Sequence, residues 1–170
     1  MGAEASDVSI RRAAPTDVSA ILRFIRALAE YEKLSHAAVA TEGMLREHLF
    51  GPKPAAEVLI AEWAGEPVGF ALYFTTFSTF LGRPGIWLED LFVLPEHRGR
   101  GVGKALLLEV ARIAVERRCG RLEWSVLDWN EPAIRFYKSL GAVTMDDWTI
   151  YRADGDALEK LGGATASDER

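Results

Sequence analysis

One stretch of the sequence joins an apolar strand, a basic glycine-rich turn and the start of a helix. The candidate strand, Trp87 to Leu94, is nearly all apolar, as a central strand should be. The turn is Arg98-Gly99-Arg100-Gly101-Val102-Gly103-Lys104, and a helical pattern follows from Lys104 to Arg118. Bare glycines let a phosphate approach the backbone, and the first N–H groups of a helix lack internal partners and carry partial positive charge. This order of elements predicts a binding site for a diphosphate.

Three known types of phosphate-binding turn can be compared with this one. A P-loop has four residues between its first glycine and a Gly-Lys pair, but here three separate Gly99 from Gly103. A dinucleotide turn, Gly-x-Gly-x-x-Gly, has Lys104 at its third glycine position in this chain. The pattern Arg-x-x-Gly-x-Gly is matched in full at Arg98, Gly101 and Gly103. An ordinary strand-to-helix turn, with glycines for tight packing, remains the alternative.

The composition is that of a globular protein of ordinary size. The net charge of −5 argues against nucleic acid as a partner, and the basic turn stands out against this acidic background as a local anion site. The single cysteine, Cys119, excludes an internal disulfide and suits a reducing compartment. No apolar run approaches the ~20 residues of a membrane span, and residues 1–7 show no signal-peptide pattern. We therefore expect a cytoplasmic protein with no membrane partner.

Apolar periodicity and turn residues predict the order β-α-α-β-β-β-α-β-α-β. The predicted strands are 8–11, 57–63, 67–77, 87–94, 121–127 and 143–151, and the predicted helices are 15–31, 41–50, 104–118 and 130–141. This order predicts an α/β (α+β) fold with a mixed, mostly antiparallel central sheet that helices flank on both faces. We expect one domain over residues 1–170, with a core of about 8–160 and a disordered tail from Gly162.

Further segments carry a family resemblance. Residues 130–142, Asn-Glu-Pro-Ala-Ile-Arg-Phe-Tyr-Lys-Ser-Leu-Gly-Ala, match the N-x-x-A-x-x-F-Y-x-x-x-G-F/A segment of the GNAT superfamily of acetyl-CoA-dependent N-acetyltransferases. The turn matches the pyrophosphate turn of the same superfamily, and residues 88–93 resemble its central strand. With Leu28-Ala29-Glu30-Tyr31-Glu32, the chain is similar to the diamine (spermidine/spermine) and thialysine N-acetyltransferase branch over roughly residues 8–160.

The resemblance implies a GNAT fold, acetyl-CoA as acetyl donor, no metal, and direct attack by a primary amine. The residues implied to hold acetyl-CoA are Leu91, Phe92, Val93, Arg98, Gly99, Arg100, Gly101, Val102, Gly103, Lys104, Asn130, Glu131, Pro132, Ala133 and Tyr137. Asn130 is also a strong helix N-cap candidate. Members of this branch are commonly homodimers, so a homodimer is the expected assembly.

The chemistry requires a proton acceptor and a proton donor. A primary amine of pKa about 10.4 is nearly all ammonium at pH 7, so its deprotonation adds about 4.6 kcal/mol to the barrier. We expect Glu89, a charge inside an apolar strand, to be the base. A carboxylate paired with an arginine or a backbone amide is the alternative, and a regular strand would turn Asp90 to the opposite side. The backbone N–H of Leu91 is expected to stabilise the oxyanion, and Tyr137 is implied as the general acid unless it is a core residue.

The resemblance also implies the position of the acceptor site. The resemblance places Tyr31, Glu32, Glu89, Glu123, Trp124 and Ser125 around a small-molecule amine. Members of this branch that acetylate polyamines tend to carry an acidic residue before the central strand, but residues 75–82 contain no carboxylate, so a smaller amine such as thialysine is at least as plausible an acceptor as spermidine or spermine. Arg83 is either a partner for the carboxylate of an amino-acid-like amine or a solvated loop residue. A non-catalytic acyl-CoA-binding domain and a protein N-terminal acetyltransferase remain the alternatives.

Overall fold

The protein is described here by a computed structural model over residues 8–163, and its chain divides into two compact units. The first unit ends at Ser125 and contains every strand found in the described residues. The second unit begins at Val126 and contains two α-helices within those residues. The single domain expected over residues 1–170 stays a prediction.

The order of elements in the first unit is the predicted one. Its elements are β1 (Val8–Arg12), α1 (Val18–Tyr31), α2 (Glu42–Phe50), β2 (Glu57–Trp63), β3 (Glu66–Ser78), β4 (Arg83–Val93), α3 (Val102–Glu116) and β5 (Leu122–Glu123). The second unit contains α4 (Glu131–Ser139) and α5 (Gly155–Gly163). Short 3₁₀ turns precede α1 and lie between β4 and α3, at Pro15–Asp17 and Pro95–His97.

The five strands form one sheet in the order β1-β2-β3-β4-β5. The first three pairings are antiparallel and the last is parallel, so the predicted mixed, mostly antiparallel sheet is confirmed. On one side of the sheet, here the α1 face, Phe24 of α1 lies 5.7 Å from Phe70 and 6.3 Å from Phe92 between ring centroids. These fully or nearly fully buried rings anchor α1 to the two central strands.

Helix α3 covers the opposite side of the sheet, here the α3 face. Arg117, directly after α3, holds both carboxylate oxygens of Glu57 at 2.6 and 2.8 Å. Glu57 lies opposite Tyr73 in the ladder of β2 and β3, and residues opposite each other share a face. The α3 face is therefore the one to which Tyr73 points, and the expectation of helices on both faces is confirmed.

Three predictions about the last third of the chain were wrong. The strand expected over 121–127 is limited to Leu122–Glu123, and no strand forms over 143–151 in the described structure. A helix, α5, occupies Gly155–Gly163, so Gly162 is helical instead of starting a tail. The rest of the expected tail lies outside the described residues. Alternating apolar residues favour extended backbone, but a strand also needs a neighbour with which to pair, and the pattern cannot show whether one exists.

Candidate active site

The glycine-rich turn has the backbone conformation that a diphosphate site requires. Gly99 and Gly101 have φ of 74° and 83°, a region that L-residues with side chains avoid, and Gly101 is the N-cap of α3. A Cβ placed on either glycine would meet no atom of the described chain within 4 Å. Open space therefore lies over the backbone at the N-terminal end of a 15-residue helix. The turn fits the diphosphate of CoA.

The two arginines of the turn each lie against an aromatic ring. The guanidinium carbon of Arg100 is 5.0 Å from the ring centroid of Trp63 at the end of β2. That of Arg98 is 4.8 Å from the ring of Tyr31 at the end of α1, and 5.4 Å from that of Phe92 in β4. Arg98 also donates a 2.9 Å hydrogen bond from Nε to the carbonyl of Val93. Arg98 was expected to contact the cofactor, and these contacts with α1 and β4 were not predicted.

Strand β4 has an open edge beyond its midpoint. In the described sheet, β5 pairs with β4 at Ile86 and Trp87 and no further, so later residues of β4 are paired on the β3 side alone. The N–H of Leu94 donates to Val68 on β3, which by the alternation of an antiparallel ladder turns the N–H and C=O of Val93 away from β3. The same alternation turns the N–H of Leu91 to the open edge.

This edge suits an extended ligand that pairs with β4 like an added strand, which is the arrangement expected for the pantetheine arm of CoA. Leu91 and Val93 direct their backbone groups to it. Phe92 directs its own backbone groups to β3 and its ring to the core with Phe24. Phe92 is therefore left out of the cofactor contacts proposed below.

A β-bulge at Glu89 sets the direction of the neighbouring carboxylate. Leu88 lies opposite Tyr73 and Asp90 lies opposite Leu72, so two adjacent residues of β3 face three of β4 and Glu89 is the extra one. Since opposite residues share a face, Leu88 points to the α3 face with Tyr73, and Asp90 points to the α1 face with Leu72. The alternation of side chains along β4 is reversed at this point.

The bulge brings both carboxylates to the α1 face, which corrects the expectation that Asp90 turns away from Glu89. Trp87 lies opposite Phe74 on the α1 face, and its indole N–H donates to the carboxylate of Glu89 at 2.8 Å. Glu89 is exposed and Asp90 is partly buried. The apolar surroundings that the sequence suggested for Glu89 belong to Asp90 instead.

Asp90 and Glu32 form an acidic pair at this face. Burial, followed by the negative charges of Glu89 and Glu32, raises the pKa of Asp90 to about 6. Burial also raises the pKa of Glu32, which caps the C-terminal end of α1. All the salt bridges found among the described residues involve other acids. Neither Glu32 nor Asp90 has an ion-pair or hydrogen-bond partner among those residues. A cationic ligand would relieve the repulsion and the desolvation of both groups.

Of the other residues expected near the acceptor, Glu123 lies beside Trp87 in the ladder of β4 and β5 and therefore on the α1 face, whereas Arg83 lies far along β4. Glu123 on β5 forms an ion pair with Arg121 at 2.7 Å, and Trp124 and Ser125 follow it at the end of the first unit. Arg83 starts β4 and is about 20 Å along that strand from Asp90. Arg83 is therefore too far from the acidic pair to bind the carboxylate of an amino acid held there.

The remaining predicted residues lie in the second unit. Asn130 accepts a 3.4 Å hydrogen bond from the N–H of Ala133, which confirms it as the N-cap of α4. Glu131, Pro132 and Ala133 form the first turn of this helix. Tyr137, two turns along α4, is partly buried, and its ring centroid lies 5.3 Å from that of Phe136.

A bulged, half-open strand that leads through a glycine-rich turn into a helix is the architecture of an acetyl-CoA-dependent N-acetyltransferase. Residues 25–142 match the model of the acetyltransferase (GNAT) family, and the chain belongs to that family. Members of the family use acetyl-CoA as the acetyl donor. The protein is an amine N-acetyltransferase, an acyltransferase, and the expected diamine/thialysine branch is confirmed.

Named relatives of this branch match the chain over most of its length. The chain is 42% identical to a thialysine N-epsilon-acetyltransferase of Bos taurus, over 92% of this chain and 98% of the relative. It is 33% identical to the L-ornithine N5-acetyltransferase NATA1 of Arabidopsis thaliana, over 89% and 86%. A solved structure, an integron cassette protein from V. cholerae, aligns with a TM-score of 0.79 and 29% identity, over 93% of this chain and 99% of that one.

No helix within residues 8–163 is both long enough and apolar enough to cross a membrane.

Proposed function

We propose that the protein transfers the acetyl group of acetyl-CoA to a primary amine of a small diamine or an amino-acid-like amine such as thialysine or ornithine. The observation that carries this proposal is the acidic pair of Glu32 and Asp90, which has no cation among the described residues and lies beside the exposed carboxylate of Glu89. Three carboxyl groups at one face favour a substrate with more than one positive charge. The acceptors named for two relatives, thialysine and L-ornithine, are of this class, and a further relative is a spermidine/spermine N(1)-acetyltransferase-like protein.

The cofactor contacts follow from the backbone of the first unit. When bound, acetyl-CoA supplies a thioester whose carbonyl carbon the amine can attack. Open space lies over Gly99 and Gly101, where the amides of residues 99–104 would bind its diphosphate, with the charges of Arg100 and Lys104 in the same turn. The N–H groups of Leu91 and Val93 at the open edge of β4 would bind the pantetheine arm, and that of Leu91 is the proposed oxyanion donor.

The proposed reaction needs one side chain to accept a proton from the amine and another to donate one to the departing thiolate. Trp87 orients the carboxylate of Glu89 through its 2.8 Å hydrogen bond, and we propose that Glu89 removes the proton from the bound ammonium, directly or through water. Asp90 and Glu32 hold the positive charge of the substrate nearby. The hydroxyl of Tyr137 is the proposed acid that protonates the departing thiolate. Asn130 to Ala133 would contact the cofactor from the start of α4.

Exchanging the two carboxylates for amides is expected to separate their roles. Asp90→Asn should raise the KM for the amine about tenfold and remove the acid limb of the kcat/KM profile near pH 6, because Asp90 binds the cation only when it is ionised. The kcat/KM of the wild type should fall as pH drops through about 6, where the carboxylate of Asp90 gains a proton. Glu89→Gln should lower kcat by roughly 100-fold and keep the acid limb. Retention of the limb by Asp90→Asn would contradict the role given to Asp90.

A panel of acceptors tests the proposal as a whole. Acetyl-CoA consumption at pH 8 is measured with thialysine, ornithine, spermidine and a peptide with a free N-terminus. We expect kcat/KM for thialysine or ornithine to exceed that for spermidine, since residues 75–82 contain no carboxylate to meet a third charge. Turnover on the peptide alone would identify a protein N-terminal acetyltransferase, and acetyl-CoA binding without turnover would identify a binding domain. The cytoplasmic location and the homodimer stay predictions.

A further inference from the structure

Arg98 belongs to the glycine-rich turn and also contacts a residue of the expected acceptor site. It opens the Arg-x-x-Gly-x-Gly turn, one residue before Gly99, and its guanidinium lies 4.8 Å from the ring centroid of Tyr31. Tyr31 ends α1 and is followed by Glu32, one member of the acidic pair. A side chain of the diphosphate turn is therefore in contact with the helix end that carries two residues of the expected acceptor site.

The orientation of Arg98 is determined by three contacts with the first unit. Its guanidinium carbon lies 4.8 Å from the ring centroid of Tyr31 and 5.4 Å from that of Phe92, and its Nε–H donates to the carbonyl of Val93 at the open edge of β4. The two terminal amino groups of a guanidinium carry four further N–H donors. Arg98 can keep these contacts and still donate to a phosphate, because they use its Nε–H and the face of its guanidinium and leave the terminal N–H groups available.

We propose that Arg98 is a positioning residue that couples occupancy of the glycine-rich turn to binding of the amine. A diphosphate in the turn adds a further contact to the guanidinium of Arg98 and so holds it more firmly against the ring of Tyr31 and the end of α1 that bears Glu32. The amine then meets a preformed acidic pair, so acetyl-CoA or CoA tightens amine binding, and the reverse holds by linkage. This inference rests on the proposed function.

Arg100 provides a matched comparison within the same turn. It is also an arginine stacked on an aromatic ring, at 5.0 Å from Trp63. Trp63 ends β2 and has no part in the expected acceptor site. Loss of the Arg100 guanidinium should therefore weaken cofactor binding without changing the factor by which bound cofactor tightens amine binding.

Calorimetric titration with thialysine, with and without saturating CoA, measures the coupling directly. We expect CoA to tighten thialysine binding about tenfold or more in the wild type. Arg98→Lys keeps the positive charge but loses the planar stack and the Nε donor, so the ratio should fall to about twofold or less. Arg100→Lys should weaken CoA binding and keep the wild-type ratio at saturation.

Variants of Tyr31 complete the test. Tyr31→Leu should abolish the coupling as Arg98→Lys does, the double variant should lose nothing more, and Tyr31→Phe, which keeps the ring, should retain it. A merely structural Arg98 would change stability and leave the ratio unaltered, so a full tenfold ratio in Arg98→Lys overturns the inference. A wild type that acetylates amines but shows no coupling overturns it too. A wild type that neither binds nor acetylates thialysine, ornithine or spermidine contradicts the proposed function itself.

Discussion

Replacing Gly101 by valine is expected to weaken acetyl-CoA binding by about 100-fold or more. Gly101 is the N-cap of α3 at φ 83°, where a β-branched side chain is strained. The added Cβ would also project into the open space over the turn, which is the place proposed for the diphosphate. Both effects hinder the binding of an anion to the first N–H groups of the helix. Calorimetry with acetyl-CoA measures the loss.

Gly82→Val is the control for backbone strain. Gly82 has a φ of 61°, lies just before β4 at the end remote from the turn, and likewise has no atom of the described chain within 4 Å of an added Cβ. Each substitution should cost about 1–2 kcal/mol of stability, seen as similar falls in Tm. Only Gly101→Val should lose affinity. Equal acetyl-CoA affinity in the two variants would argue against the turn as the diphosphate site.

Replacing Tyr137 by phenylalanine is expected to lower kcat by roughly 100-fold. The change removes one hydroxyl, and with it the proposed proton donor to the departing thiolate, while the partly buried ring beside Phe136 is kept. The dissociation constant of acetyl-CoA should change less than threefold, since a group needed only in the transition state contributes little to ground-state binding. Steady-state kinetics and calorimetry together separate the two quantities.

Tyr151→Phe is the matched control, because it removes the same hydroxyl from a residue of the second unit that is 91% exposed. Its kcat should equal that of the wild type. If Tyr137→Phe also kept the wild-type kcat, Tyr137 would have no part in proton transfer. If instead it lost acetyl-CoA affinity in proportion to kcat, the hydroxyl would be a binding group.

The local structure that was predicted correctly around the expected site is encoded over short stretches of sequence. The glycines at 99 and 101 indicate a backbone with positive φ, which the structure has. The apolar spacing that follows them predicts the buried face of α3, which is formed by Val102, Leu106 and Val110. Asn130 and Pro132 likewise mark the start of α4 through a side-chain cap and a fixed φ.

The parts that were wrong depend on partners distant in the sequence. Nothing in Leu88-Glu89-Asp90-Leu91 shows that β3 will skip one residue, yet this bulge decides which face Asp90 takes and raises its pKa. The contact of Arg98 with Tyr31 joins residues 67 positions apart. The assignment of Arg98 to the cofactor stays a prediction, and no residue near it in the sequence indicated the contact with Tyr31.

The sequence alone determined the order of elements in the first unit, the glycine-rich turn and the supply of acidic side chains, because each follows from backbone preferences and apolar spacing within a few residues. Only the tertiary structure decided that β4 has an open edge after Trp87, that Glu89 and Asp90 share the α1 face, and that Glu32 stands near them. These features arise from strand register and helix docking. Both depend on packing between segments that are far apart in the chain, and the local sequence of each segment does not show which other segment it will contact.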